Sequence, residues 1–490
     1  MPRDLTSMLI GGDRSAACGC NNTAGRAALM LGDEPAEPSA TGYYWNLFAF
    51  PVRVGSRNYA FLADRRAVLS LDEATFSDLK DAAGGPVPAR VQLDTAAVWS
   101  DLGLVSRESP GEQFSRVFSR KLCEPQQNEL LHLITSYTCN LTCSYCFMLT
   151  DLDDHSEKVL TFEDARKGID QYFGLPHKPD SVIHFYGGEP LLHPSFIDDC
   201  LTYIHANYST EVLPKIITNG TIHGDRALAL LRKYQFDLSV SMDGDREAHD
   251  VFRLDHRGRS TFDKTVAGIR RFKEIGYDPK VLITVGSHNI ARLPEVVGAV
   301  LDLEPHAVAL NFPRELPATD SALEDGTSDP GYWVDQYERS LALCYEHNVP
   351  ELYFADMLFA YLSGEPVLSP CAACGKQMSI GPGAKVGPCQ AFVASGTFSQ
   401  PVHEFGSGGP RDVFVPWQDV SKASSRKCSR CPISVICGGD CSFDRYNRTG
   451  SLHEPLPFHC DMRLRMAEVL VERLVAGEPL GFAAPAVSRT

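Results

Sequence analysis

The segment Thr138-Cys139-Asn140-Leu141-Thr142-Cys143-Ser144-Tyr145-Cys146-Phe147 follows directly on Leu131–Thr135, a short apolar run that reads as a β-strand. Its spacing sets three cysteines in one loop after a strand, where a βα connection can wrap a metal centre. Three thiolates on an iron–sulfur cubane leave one iron without a protein ligand. An open coordination position lets a substrate or cofactor bind the metal. Four-cysteine ligation would close the cluster and suit electron transfer only. Zinc with a fourth ligand satisfies the same spacing, so on these residues alone both metals stand.

Outward from this loop, strands and helices alternate as far as about residue 310. Further strand candidates are Ser181–Tyr186, Lys215–Thr218, Asp237–Ser241, Lys280–Val285 and Ala307–Leu310. Helical patterns lie between them, for example Thr161–Phe173 and Thr261–Ile275. Six β–α units imply a parallel sheet, open or curled into part of a barrel. Ligands collect at the C-terminal strand ends of such folds.

The chain has 490 residues, enough for more than one domain, with 43% hydrophobic and 22% charged residues. No apolar run reaches membrane-spanning length, and the N-terminus lacks the apolar core of a signal peptide, which predicts a cytoplasmic protein away from membranes. The formal net charge of −16 argues against a nucleic-acid partner, whose phosphates need a basic surface. Sixteen cysteines in a reducing compartment point to metal or redox work rather than disulfides.

Eleven of those cysteines fall in three tight groups, and Cys18, Cys20, Cys123, Cys200 and Cys344 lie apart. Cys18 and Cys20 read as an incidental pair, because two thiols cannot fill a tetrahedral site. Cys123, Cys200 and Cys344 read as plain buried thiols. Near the C-terminus, Cys428, Cys431, Cys437 and Cys441 form Cys-x2-Cys-x5-Cys-x3-Cys, with Cys371, Cys374 and Cys389 before them and Cys460 after. Eight thiolates suffice for two closed cubanes, or for two zinc sites. The surrounding region is too rich in Gly and Pro for an ordinary core, so metal stapling is expected there.

These motifs resemble those of the radical S-adenosylmethionine (SAM) superfamily, specifically members with a C-terminal SPASM domain. The resemblance runs from about Leu131 to Cys460. It rests on Cys-x3-Cys-x-Tyr-Cys after the first strand, on Phe185-Tyr186-Gly187-Gly188-Glu189-Pro190-Leu191 at the end of the second, on Ser239-Val240-Ser241-Met242-Asp243-Gly244 with His249, Asp250 and Arg253, and on the C-terminal cysteines. It implies an α/β fold: a partial (β/α)6 TIM-type barrel, an N-terminal α+β unit of winged-helix-like element order, and a C-terminal iron–sulfur SPASM domain. It also implies that Cys139, Cys143 and Cys146 hold a catalytic [4Fe-4S] cluster. SAM would lie against Tyr145, Gly187, Gly188, Glu189, Ser241 and Arg253, with Glu189 accepting from an ammonium and Arg253 clamping a carboxylate bidentately. Family pairing gives Cys371, Cys374, Cys389 and Cys441 one auxiliary [4Fe-4S] cluster, and Cys428, Cys431, Cys437 and Cys460 a second. Cys371 sits closer to Cys374 than is usual.

Two departures stand out. The family's glycine before the third of these cysteines aligns with Ala384, beside Gly383. Sulfatase-maturing relatives place an aspartate base directly after that cysteine, where this chain has Gln390, and an amide takes no proton at neutral pH.

The expected layout is therefore disorder over 1–42, a leader-peptide-binding-like unit over 43–107 and a polar linker over 108–127. The barrel occupies 128–330, a helical bridge 331–370, the SPASM domain 371–462, and a C-terminal helix and tail 463–490. Within the first unit, Tyr43–Val54, Asn58–Ala63 and Ala67–Leu71 read as strands, with a helix from Asp72 and another near Asp94–Leu102. The resemblance implies a radical maturase that cross-links a ribosomally made precursor peptide, with flavodoxin or ferredoxin as electron donor. A sulfatase-maturing side-chain oxidase and a zinc-stabilised, non-catalytic peptide-binding scaffold are the alternatives.

Overall fold

A computed structural model describes residues 40–82, 84–124, 127–148, 158–311, 329–373, 375–404 and 425–478. The Cys18–Cys20 pair, most of the 1–42 segment, Cys374 and the C-terminal tail lie outside the described residues.

The chain enters through β1 (Tyr44–Trp45) and β2 (Ala49–Val54), one expected strand divided in two. Asn46 divides it: its Oδ1 accepts from Phe48 N–H at 2.9 Å and its Nδ2 donates to the Gly103 carbonyl at 2.8 Å. Strands β3 (Arg57–Leu62) and β4 (Ala67–Leu71) complete an antiparallel meander with β2. Asp72 caps α1 (Glu73–Ala82) by accepting from Thr75 N–H at 2.8 Å. Helix α2 (Leu93–Asp101) and β5 (Val105–Ser106) follow, the latter paired with β1.

The expected linker is instead α3 (Pro110–Cys123), opened by a capping box between Ser109 and Glu112. Phe114 and Phe118 on it are 1% and 0% exposed, and the Gln113 amide receives the Leu47 N–H at 2.8 Å. The polar composition of 108–127 hid two aromatic residues four apart on a single helical face. The N-terminal unit is not a detached module either. Leu47, Phe48, Phe50, Val52 and Phe61 share one apolar core with the rest of the chain, and the rings of Phe61 and Tyr361 lie 5.3 Å apart.

The central region runs β6 (Asn128–Ile134), α4 (Phe162–Phe173), β7 (His177–Tyr186), α5 (Pro194–Asn207), β8 (Leu213–Thr218), α6 (Asp225–Lys233) and β9 (Asp237–Ser241). It continues with α7 (Arg246–Phe252), α8 (Phe262–Glu274), β10 (Lys280–Thr284), α9 (Leu293–Leu301) and β11 (Val308–Asn311). All six strands are parallel, each paired with the next. Parallel strands need covered faces, and alternate residues such as Leu131, Leu133, Ile183, Phe185, Ile216 and Val240 are fully buried.

Helices α10 (Pro330–Glu346) and α11 (Leu352–Ser363) lead into β12 (Gln377–Gly381), β13 (Lys385–Gly387), α12 (Gln390–Ala394), β14 (Gln400–Pro401), α13 (Arg426–Ser429), α14 (Ser442–Thr449) and α15 (Pro457–Ala476). The nine-stranded sheet has the order β11-β10-β9-β8-β7-β6-β12-β13-β14. Strand β12 joins β6 in parallel, with Ser379 opposite His132 and Ile380 opposite Leu133. The cysteine-rich C-terminal region thus extends the barrel sheet directly. Helix α15 begins at Pro457, ahead of the expected 463, which puts Cys460 in its first turn. Among the described residues, no helix is long and apolar enough to cross a membrane.

Candidate functional site

The three-cysteine loop leaves the C-terminal end of β6. Cys146 N–H donates to the Cys143 carbonyl at 3.0 Å, folding the loop back on itself. Cys139, Cys143 and Cys146 line one cavity of about 560 Å³, together with Tyr137, Lys158 and His256. Leu141 N–H donates to Cys139 Sγ at 3.4 Å, and Asn219 Nδ2 stands 3.7 Å from the same sulfur. Burial raises the Cys139 thiol to about 12, with Glu189, Cys143 and Cys146 adding like charge and the Leu141 N–H opposing. Burial also raises Cys143, with the Arg253 cation pulling the other way. Three thiols around one cavity, two of them kept protonated by burial and one with N–H donors turned on its sulfur, fit a cationic iron–sulfur cluster, which takes the place of the protons.

The Gly-Gly-Glu segment after β7 is docked on this loop. Gly188 N–H donates to the Ser136 carbonyl at 2.8 Å and Glu189 N–H to the Thr138 carbonyl at 3.0 Å. Gly187 has φ +146°, and a Cβ on Gly188 would stand 2.0 Å from the Thr138 carbonyl oxygen. The glycines are therefore required by the close approach of two protein segments. Glu189 is fully buried, and its carboxylate accepts from Thr218 Oγ1 at 2.7 Å, Asn219 N–H at 2.7 Å and Leu191 N–H at 3.0 Å. Burial raises its pKa to about 7 against the pull of these hydrogen bonds. In the structure Glu189 thus serves first as a bracket between the ends of β7 and β8, where the sequence suggested an ammonium receptor.

The bracket continues to the cysteines. Asn219 Nδ2 donates to Asn140 Oδ1 at 2.9 Å, and Asn140 Nδ2 donates to Thr221 Oγ1 at 2.7 Å. On the other flank, Thr142 N–H donates to the Leu254 carbonyl at 2.8 Å and His256 Nε2 to the Cys139 carbonyl at 2.8 Å. Arg253, whose side chain is 8% exposed, pairs through Nε with Asp243 Oδ2 at 2.9 Å, and Tyr145 Oη donates to the same oxygen at 2.5 Å. Ser241 is partly buried at the end of β9. Asn140, Asp243 and His256 escaped the sequence reading as site residues, while Asn219 falls in Thr218-Asn219-Gly220, which ends the third predicted strand and reads as either a turn or part of the same mouth. Asp243 does sit just beyond a predicted strand end, the signal that could have found it.

In the C-terminal region Cys371 is exposed, while Cys389 and Cys441 share an apolar cluster with Ala373, Phe392 and Phe443. Cys389 Sγ accepts from Ala391 N–H at 3.4 Å, and Cys437 Sγ from Gly439 N–H at 3.3 Å. Burial raises the Cys460 thiol to about 11; Lys427 opposes this, while Asp440, Cys428 and Cys437 reinforce it. Cys460 therefore lies within electrostatic reach of Cys428 and Cys437. Asp440, ion-paired with Arg445, accepts from Leu456 N–H at 2.8 Å and ties this segment to the start of α15. Gln390 Oε1 accepts from Gln377 Nε2 at 3.4 Å. Among the described residues, no group of three or more His, Cys, Asp or Glu side chains is gathered as for a single metal ion. Cys200 and Cys344 are fully buried with thiol pKa values raised by desolvation.

Residues 133–297 match the family model of the Radical SAM superfamily. Over these residues the chain carries a radical SAM domain. It is 23% identical over 350 residues to a serine-type anaerobic sulfatase-maturating enzyme of Bacteroides thetaiotaomicron, covering 66% of this chain and 84% of that relative. It is 21% identical over 387 residues to the radical SAM cyclopropyl synthase TigE of Paramaledivibacter caminithermalis, covering 71% and 75%. Its fold is similar to that of native anSMEcpe with bound AdoMet (TM-score 0.59, 20% identity, 71% of this chain and 98% of that one). It is also similar to Streptococcus suis SuiB bound to S-adenosylmethionine (TM-score 0.51, 14% identity, 85% and 97%).

Proposed function

We propose that this chain is a radical SAM maturase that installs an intramolecular cross-link, through carbon or sulfur, in a ribosomally synthesised precursor peptide. The observation that carries the radical reading is the three-thiol cavity, whose loop is held to the ends of β7, β8 and β9: Glu189 N–H donates to the Thr138 carbonyl, Asn219 Nδ2 donates to Asn140 Oδ1, and Tyr145 Oη donates to Asp243. Cys139, Cys143 and Cys146 would hold a [4Fe-4S] cluster, which with SAM supplies a 5′-deoxyadenosyl radical when bound. The chain's own residues orient and enclose. Gly187 and Gly188 let their segment lie flat on the cysteine loop; Tyr145, Ser241 and Arg253 would face SAM, with the Arg253 fork matched to its carboxylate. Glu189 would act on SAM through the segment it braces.

Two auxiliary clusters are part of the proposal, one on Cys371, Cys374, Cys389 and Cys441, the other on Cys428, Cys431, Cys437 and Cys460. The N–H···S bonds at Cys389 and Cys437 and the proximity of Cys460 to Cys428 and Cys437 support these sets. The substrate class rests on the kinds of protein this chain resembles and on β4, whose outer edge pairs with no strand among the described residues. That edge could accept a leader peptide as an added strand. Gln390 favours cross-linking over aldehyde formation, because its amide, held by Gln377, offers no base. Flavodoxin or ferredoxin would supply the reducing electron.

The test is anaerobic reconstitution followed by incubation with SAM, reductant and the precursor peptide encoded beside this gene. About twelve irons per chain are expected, falling to about eight without SAM cleavage when Cys139, Cys143 and Cys146 are all changed to Ala. The expected product lacks two hydrogens, does not react with hydrazides and fails to fragment between two joined residues. A hydrazide-reactive aldehyde would support the sulfatase-maturing alternative, and a zinc-only protein the scaffold.

A further inference from the structure

Asp243 lies two residues beyond the end of β9, with none of its side chain exposed. Its Oδ1 accepts from Thr284 N–H at 3.0 Å, anchoring it to the end of β10. Its Oδ2 holds two partners at once, Tyr145 Oη at 2.5 Å and Arg253 Nε at 2.9 Å. Tyr145 stands between the second and third cysteines of the loop. The Arg253 guanidinium lies 5.5 Å from the centroid of the Tyr145 ring and is the cation acting on Cys143. His288 closes the group, its ring 4.7 Å from that of Phe252 and 6.3 Å from that of Tyr145.

A buried carboxylate is costly unless it is paired and hydrogen-bonded, and breaking such a pair leaves an uncompensated charge. Here one carboxylate connects the metal-binding loop to the arginine. An arginine held by an ion pair on its Nε side keeps its two Nη groups as a fork in one plane.

We propose that Asp243 is a positioning residue, joining the cysteine loop through Tyr145 to Arg253 and turning the Arg253 fork toward the carboxylate of SAM. The proposal rests on the reading of the three-thiol cavity as a SAM site. Cluster geometry and SAM affinity then depend on the same side chain.

The experiment uses the anaerobically reconstituted full chain and two probes, SAM and decarboxylated SAM, which lacks only the carboxylate. Wild type, Asp243→Asn and Tyr145→Phe are compared for iron content, probe affinity and the electron paramagnetic resonance signal of the reduced cluster. Asp243→Asn should keep wild-type iron and lose about 10- to 100-fold in SAM affinity, the range for one charge-assisted hydrogen-bonding group. Its affinity for decarboxylated SAM should match that of the wild type. Equal losses for both probes, or none for either, overturn the proposal. If Asp243→Asn does not hold its cluster, Tyr145→Phe decides. It removes one hydrogen bond, and should change the signal of the SAM-bound cluster while iron stays complete; an unchanged signal overturns the proposal. A wild-type protein that binds neither probe refutes the SAM-site reading itself, a result distinct from any difference between variants.

Discussion

Gly188 and Thr138 are in such close contact that no side chain fits between them: a Cβ at 188 would lie 2.0 Å from the Thr138 carbonyl oxygen and 2.9 Å from the Cys139 nitrogen. The obstacle is backbone on both sides, so relief requires moving the cysteine loop itself.

Gly188→Ala should therefore separate the two segments and, on the proposed cluster assignment, lose the cluster of Cys139, Cys143 and Cys146 while sparing the C-terminal ones. Iron should fall from about twelve to about eight per chain on reconstitution. The cost in stability should be roughly 2–4 kcal/mol, as for severe backbone overpacking. Full iron content in this variant would show that the loop yields.

Two buried groups near the site give opposite pH dependences. Glu189 has a folded pKa near 7 against 4.5, so the folded state holds its proton longer, and stability falls as pH rises from about 4.5 to 7. His249 has a folded pKa near 4 against 6.5, set by burial with Arg253 adding to it, so the unfolded state binds the proton first. Its contribution is lost as pH falls from 6.5 to 4. Each effect is roughly 3 kcal/mol, and their windows overlap. Urea unfolding of the apo chain should then show little net slope from this pair. Glu189→Gln should unmask stability that rises with pH, and His249→Gln stability that falls with pH. Parallel slopes in both variants would contradict the assignment.

Ala384 has φ +53°, next to Gly383 at +73°, in the turn joining β12 to β13. Left-handed backbone strains a residue with a Cβ. Ala384→Gly should stabilise the chain by roughly 0.5–1 kcal/mol, and Ala384→Val should destabilise it by more. Denaturant midpoints of the two variants against wild type measure this directly.

Deleting residues 1–107 would remove the partners of Phe114, Phe118 and Tyr361, including the Phe48 ring 6.1 Å from Phe118 and the Phe61 ring 5.3 Å from Tyr361. The truncated chain should aggregate on expression, because it would expose an apolar patch continuous with the main core. A soluble, iron-loaded truncation would show the N-terminal unit to be separable after all.

Local pattern was enough for elements with strong local signals. The six parallel strands, the Thr161 cap of α4 and the pair α10–α11 follow from apolar periodicity and capping residues that act within a few positions. Helix α3 is not legible locally because its apolar residues Phe114, Val117, Phe118 and Leu122 stand among charged neighbours, and only the core they meet distinguishes that face from a solvated one. The division of the first strand at Asn46 was missed because its amide bonds to Gly103, 57 residues away.

The amino-acid sequence by itself determined the three-cysteine loop and the glycines beside it, because a thiol cluster and tight backbone contact each demand particular residue types at short spacing. Tertiary structure alone decided what holds that loop. Asn140 meets Asn219, Tyr145 meets Asp243, and Cys139 meets His256, pairs separated by 79, 98 and 117 positions. Parallel strands make such pairs, since each crossover returns the chain to the same end of the sheet and brings distant strand ends together. Glu189 shows the division most clearly. The local motif singles it out as a ligand for an ammonium, and the fold surrounds it with three donors of its own.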